Sequence, residues 1–389
     1  MNQSLLNRLL LHSFKNYQTL FNELTFHNHN AHHLGSIYYM GASDSKLEKT
    51  YETMCKEMDP YEISPEKITL SNWRNFLGNK HFCKSYADFF YEQLTTNGNN
   101  WQKKFNEFLL DNKQQPLING VIGGVAHPLI HIGYAYELNN EIVGAEALTM
   151  AAVCYNYLHE IVDQLQPPNS PSKTTLEILH DVRSDTHLPI YDKPGVGNLE
   201  KTVKNCHDLI LSHYNQWKIN KEDIDKTIEE LFDLSVYIYG ATHKSDQIEF
   251  DFFLLHLLTS MHAIRMIRPH IDDLRILQHI LFQYFYFTLA IYISQVRPEI
   301  NEKLICDYTI DNSTKNWNYV IDRSLNTELI DDAHLVKTIR ALRDAEQVYG
   351  NKNDFYLKTA VKTVDNMNLE NLWVGGPDNS RQLNILKSS

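Results

Sequence analysis

GVIGGVAHPLIHIGYAYE, residues Gly120–Glu137, sets His127 and His131 four positions apart in an otherwise apolar run. On a helix, side chains at i and i+4 lie one above the other on the same face, so this spacing predicts two imidazoles directed into one interior space. Polar rings there need partners. Water or backbone groups would satisfy them, and so would a single transition metal ligated by both. An HxxxH pair alone does not choose between these readings. Pro128 lacks an N–H and clashes with a preceding turn, so it marks the start of the helix or a kink in it. The glycines at 120, 123 and 124 either cap the helix start or let a neighbour approach closely.

Working outward, apolar residues recur at helical spacing along most of the chain. Ser45–Met58, Lys80–Thr95 and Trp101–Leu110 read as helices, the last two with aromatic stripes that packing alone explains. Glu141–Val162 follows, rich in alanine, with Glu146 as a lone acid among apolar residues. Such an acid is paired or at a site, and a ligating imidazole usually donates its second nitrogen to a carboxylate or carbonyl. Beyond it, 199–218, 221–243, 250–267, 271–296, 332–349 and 353–366 are helical in pattern, with a turn-rich stretch at about 301–330. No period-two alternation and no fixed repeat emerges. The expectation is an all-α protein: a single large helical domain, residues 1–366, packed around a buried histidine-lined pocket. Residues 367–389 form an irregular tail. The proline-rich QPPNSPSK, Gln166–Lys173, and the loop His187–Asn198 are read as surface crossings of that domain.

Composition narrows the function. A formal charge of −12 argues against nucleic acid as a partner, since phosphate binding needs a basic surface. Five cysteines without CxxC spacing fit reduced thiols and a cytoplasmic location. The N-terminal MNQSLLNRLLLHSFKNY reads as an amphipathic helix and not a secretory signal. The longest apolar run, Ile280–Ile293, is broken by Gln283 and falls short of the roughly 20 residues of a bilayer span, so it is expected in the core. Oligomeric state is not legible.

The chain carries 19 histidines. His27, His29, His32 and His33 come first, with His29 and His33 one helical turn apart. His256 sits in FDFFLLHLLTSMHAIR, where flanking leucines and phenylalanines desolvate it and keep it neutral, available to a metal or to a buried partner. In DDAHLVKTIRALRDAEQVYG, His334 and Lys337 are at i and i+3. Competing motifs are absent: there is no GxGxxG, Walker, GxSxG or HExxH pattern. The His-Asp pairs at 180–181 and 207–208 lie in polar helical settings without the further ligands of a metal phosphohydrolase.

Taken in order, HNHNAHHLGSIYYMGAS, GGVAHPLIHIGYAYE with AEAL, EILHDVRSD, FDFFLLHLLTS and AHLVKTIRAL resemble the questin oxidase-like proteins of fungal polyketide pathways and their bacterial relatives, over roughly residues 25–350. The resemblance implies an oxygenase that oxidises or opens anthraquinone-type rings in a Baeyer–Villiger-like reaction with a nicotinamide reductant, NADPH. It also implies, for some members, a non-haem iron held by histidines and a carboxylated lysine. Carried over motif by motif, the metal ligands would be His29, His127, His131, His256 and Lys337, with His33 and His334 as alternates within their motifs. Lys337 could ligate only if neutral or carboxylated, because an ammonium has no lone pair.

The expected reaction centre is therefore Fe(II) with dioxygen as co-substrate and a small aromatic substrate, Tyr38, Tyr134, Tyr136, Phe252 and Phe253 being wall candidates. Two other readings are open at this point. One is a non-catalytic helical protein that binds a hydrophobic ligand; the other is a metal-free, NADPH-dependent monooxygenase with a histidine base.

Overall fold

The computed structural model describes residues 2–96, 100–111, 115–220, 222–368 and 373–375, so most of the expected tail lies outside the described residues. The fold is all-α. In chain order the helices are α1 (Gln3–Asn16), α2 (Asn30–Tyr39), α3 (Asp44–Cys55), α4 (Cys83–Thr95), α5 (Trp101–Leu109), α6 (His127–Leu138), α7 (Glu141–Val153), α8 (Leu158–Val162), α9 (Thr175–Ser184), α10 (Leu199–Tyr214), α11 (Ile224–Gly240), α12 (Leu254–Ile267), α13 (Leu274–Ser294), α14 (Lys303–Cys306), α15 (Trp317–Leu325), α16 (Ala333–Tyr349) and α17 (Phe355–Asn366). The one sheet among the described residues pairs Leu20–Phe21 with Phe26–His27, Leu20 opposite His27.

The chain divides into two compact units. The first comprises Met1–Leu165, Ala263–Asp272 and Ile330–Lys337; the second comprises Gln166–His262, Asp273–Leu329 and Thr338–Ser389. The first boundary falls where QPPNSPSK begins.

In the first unit, α7 packs on α4 and α6. Every α7 residue from Ile142 to Val153 is buried, the signature of a helix apolar on all sides and enclosed by others. Its small residues permit this: a Cβ on Gly144 would lie 2.9 Å from the Trp101 ring. Helix α6 begins with His127, and Pro128 takes the early position where its missing N–H costs nothing. Gly133 of α6 meets Ala263 so closely that a Cβ would come within 2.6 Å of it. The alanine-rich stretch breaks after Cys154 and resumes as α8.

In the second unit, α10 packs along α13. Helix α13 is long and apolar enough to cross a membrane, but 83% of its most apolar window is buried. Arg297, buried and at φ +52°, donates to the carbonyls of Val182 and Asp185 at 2.9 and 2.7 Å, tying the end of α9 to the end of α13. Near the C-terminus, Val374 pairs with the chain just before α12, its N–H donating to Phe250 O at 3.0 Å and its carbonyl accepting from Phe252 N at 2.8 Å.

Candidate metal centre

The segment before α6 carries three successive residues in the left-handed region: Gly124 at φ +54°, Val125 at +55° and Ala126 at +59°. L-residues avoid this region, and backbone strain of this kind collects at functional sites. Here the turn brings Gly124 O to within 2.7 Å of His127 Nδ1. Gly124 is also where His27 passes: a Cβ would sit 2.6 Å from His27 Nε2. The short hairpin delivers His27, whose ring stacks on His127 with centroids 4.0 Å apart and planes 5° from parallel. The carbonyl of His27 accepts from His29 Nδ1 at 2.6 Å.

These two carbonyl contacts fix two tautomers. A carbonyl only accepts, so Nδ1 of His29 and Nδ1 of His127 each carry hydrogen, and in the neutral rings each Nε2 is the accepting nitrogen. The two Nε2 atoms face each other at 3.0 Å. Burial, then the charge of Lys337, holds His29 well below the ordinary histidine range, so a proton on His29 is a poor way to relieve the repulsion. A cation between them relieves it directly. The spacing is also that of two nitrogens at right angles about one ion with bonds of about 2.1 Å.

His334, at the start of α16, completes a triad: one ligand atom each from His29, His127 and His334 lie within 4.8 Å of one another. Asp332 orients the ring, accepting from His334 N at 2.7 Å and lying 3.2 Å from Nδ1, a carboxylate–histidine arrangement typical of metal ligands. Lys337, one turn further along α16, is fully buried, and its Nζ has no hydrogen-bond partner among the described residues. Burial brings it down to about 7, so an uncharged amine is accessible to it. Its charge is also felt by His27, His29, His32 and His33, burial being the larger cause at each: His27 is lowered to about 3 and His33 to about 4.

The other candidates are placed differently. His131 does share the α6 face with His127, yet protein groups meet both of its nitrogens: Nε2 lies 3.1 Å from Glu146 Oε2, and Nδ1 lies 2.9 Å from His32 Nε2. Glu146 thus supports a histidine one step removed from the triad. His33 donates Nε2–H to Ile330 O at 2.7 Å, anchoring α2 to the turn that leads into α16. His256 belongs to the second unit, where its Nδ1 lies 2.7 Å from Phe252 O and its ring packs 5.0 Å from that of Phe252. Its tautomer is set by the same device as those of His29 and His127. Of the wall candidates, Tyr134 stacks on His32 at 5.0 Å, and Tyr136 stacks on His270 at 4.4 Å.

Sequence reading ranked His334 as an alternate and passed over His32. For His334 the available signal was Asp332, two residues upstream and able to bond both backbone and ring. For His32 no local signal existed, because its partner lies on another helix. The same holds for Cys154, whose Sγ lies 3.4 Å from His27 Nε2 and whose thiol burial pushes up to about 12.

A helical protein whose first unit gathers a histidine triad beside a buried, unpaired lysine belongs to a definable class. Residues 26–342 match the family model described as Questin oxidase-like, and the chain belongs to that family of oxidative enzymes. An oxidoreductase of Aspergillus parasiticus is 24% identical over 388 residues, covering 94% of this chain and 78% of its own length. A Baeyer–Villiger monooxygenase of a Cryptosporiopsis species is 24% identical over 367 residues, covering 88% of this chain and 80% of its own. The questin oxidase of Aspergillus terreus is 20% identical over 365 residues, with 88% and 80% covered. The non-catalytic binding reading gives way to an oxidoreductase.

Proposed function

We propose that this protein is a monooxygenase that inserts oxygen beside a ring carbonyl of an aromatic polyketide or quinone-type substrate, at a non-haem iron held by His29, His127 and His334. Lys337, as the neutral amine or its carboxylated form, is the fourth protein ligand. The observation that carries the metal is the convergence of His29, His127 and His334, one ligand atom of each lying within 4.8 Å of the others. The relatives' names supply the reaction class.

In the overall reaction one atom of dioxygen enters the carbon–carbon bond next to the carbonyl. The other leaves as water, with two electrons and one proton delivered as hydride by a nicotinamide reductant and the second proton taken from solvent. A bound Fe(II) supplies the means of passing electrons to dioxygen, which closed-shell side chains lack. The chain's own residues do the rest. His27 O and Gly124 O hold two ligand rings in the accepting tautomer, and Asp332 aims the third. A neutral Lys337 avoids adding a buried positive charge beside the ion.

The test is metal analysis and oxygen uptake on purified protein with a hydroxyanthraquinone and NADPH. The proposal expects about one iron per chain and substrate-dependent oxygen uptake that chelation abolishes. Metal-free protein with undiminished turnover would instead establish the histidine-base reading.

A further inference from the structure

Beside the triad runs a second line of hydrogen bonds, Glu146 to His131 to His32, buried throughout. A carboxylate only accepts, so when the His131 ring carries a single hydrogen it sits on Nε2, facing Glu146, and Nδ1 is left as an acceptor. His32 Nε2, 2.9 Å away, must then be the donor. This leaves the lone pair of His32 on Nδ1, and that atom is buried with no hydrogen-bond partner among the described residues. The ring cannot turn away easily. Tyr134 stacks on it at 24°, itself fixed by a 2.7 Å bond to Ser36, and Gly35 lies so close beneath Tyr134 that a Cβ would come within 3.1 Å of that ring. His32 is also next to the triad, its ring centroid 5.3 Å from that of His29.

A rigidly held, desolvated acceptor next to a reaction centre recognises a donor. We propose that His32 accepts the phenolic O–H of the substrate and so selects a free hydroxyl over its ether, with His131 and Glu146 as positioning residues that keep His32 in the accepting tautomer. This inference rests on the aromatic-substrate reading above. A methyl ether presents no hydrogen to that nitrogen and leaves it unpaired, which is the kind of mismatch that gives a site strong discrimination.

The experiment measures anaerobic binding of a hydroxyanthraquinone and of its O-methyl ether to metal-loaded full-length protein, together with metal content. Wild type is expected to bind the phenol more tightly. His32→Phe lowers phenol affinity by about tenfold and leaves ether affinity and metal content at wild-type levels. Glu146→Leu shifts the same ratio in the same direction by a smaller factor, and serves as the test if His32→Phe does not fold.

Equal loss for both compounds would overturn the inference, because it would make His32 a packing group or a donor to the carbonyl they share. So would loss of metal from His32→Phe, which would make it a ligand. A wild-type protein that binds and oxidises the phenol while His32→Phe keeps the wild-type ratio removes this inference alone. A wild type that binds neither compound removes the substrate reading with it.

Discussion

Among the described residues two lysines are almost completely buried, one in each unit, and they are treated in opposite ways. Lys362 of the second unit is 1% exposed; its ammonium donates to Gly240 O at 3.3 Å, to Leu304 O and to His243 Nε2 at 3.2 Å. Lys337 of the first unit is 0% exposed, and its Nζ meets no hydrogen-bond acceptor among the described residues. Burial lowers both, to about 8 and about 7. The difference shows which buried cation the fold completes and which it leaves for something else to complete. Lys362 ties α17 to α11 and α14. Lys337 lies where its charge is felt by His27, His29, His32 and His33, so the first unit gives up stability to keep an unpaired amine beside a cluster of imidazoles.

The largest effect that could break this comparison concerns function. Lys337→Met is expected to lower oxygenase activity by more than about 100-fold, the scale at which a metal site fails when its surroundings are altered, while thermal stability holds or rises. Lys362→Met should do the reverse: activity per folded molecule is kept, but Gly240 O and Leu304 O lose their donor and stability drops by about 1–3 kcal/mol. Thermal melts and steady-state rates on the two variants check both arms together.

Next in size is the alkaline side of the stability curve. Lys337 has a folded value near 7 against 10.5 in the unfolded chain, so between these limits the unfolded state binds the extra proton. Stability of the metal-free protein should therefore rise from pH 7 toward 10.5, by up to about 1.4 kcal/mol per unit for a single such group. Lys337→Met should flatten the rise that begins near 7, leaving the part due to Lys362.

On the acid side the two units should separate. His27 and His33, with folded values near 3 and 4, contribute stability that is present above 6.5 and lost as pH falls toward those values. Asp251 in the second unit acts oppositely. Burial raises it to about 7, so it takes up a proton in the folded state between 7 and 3.8 and stabilises that unit as pH falls. Hydrogen exchange at pH 5 is expected to show α2 and α6 losing protection before α10 and α13. The smallest effect is local: Gly124→Ala, at positive φ and 2.6 Å from His27, should cost about 1–2 kcal/mol and weaken metal binding.

The sequence made the helices legible because their apolar stripes are long. The hairpin at Leu20–His27 was not, since two-residue strands are too short to alternate visibly. Boundaries moved where capping and kinks intervene: the stretch read as Lys80–Thr95 opens with a 3₁₀ turn at Lys80–Phe82 before α4. At the site, the HxxxH spacing correctly put His127 and His131 on one face, yet a shared face does not decide what each ring meets. His127 opens its helix and turns to Gly124 O, while His131, one turn in, is met by Glu146 from α7 and His32 from α2. That choice depends on three elements packing together, which no local pattern encodes.

The most direct measurement is a crystal structure with anomalous scattering collected at the iron edge. The account predicts a single strong peak bonded to Nε2 of both His29 and His127, with His334 in the same coordination sphere. A map with no peak there, and the two Nε2 atoms bridged only by hydrogen bonds, would contradict it.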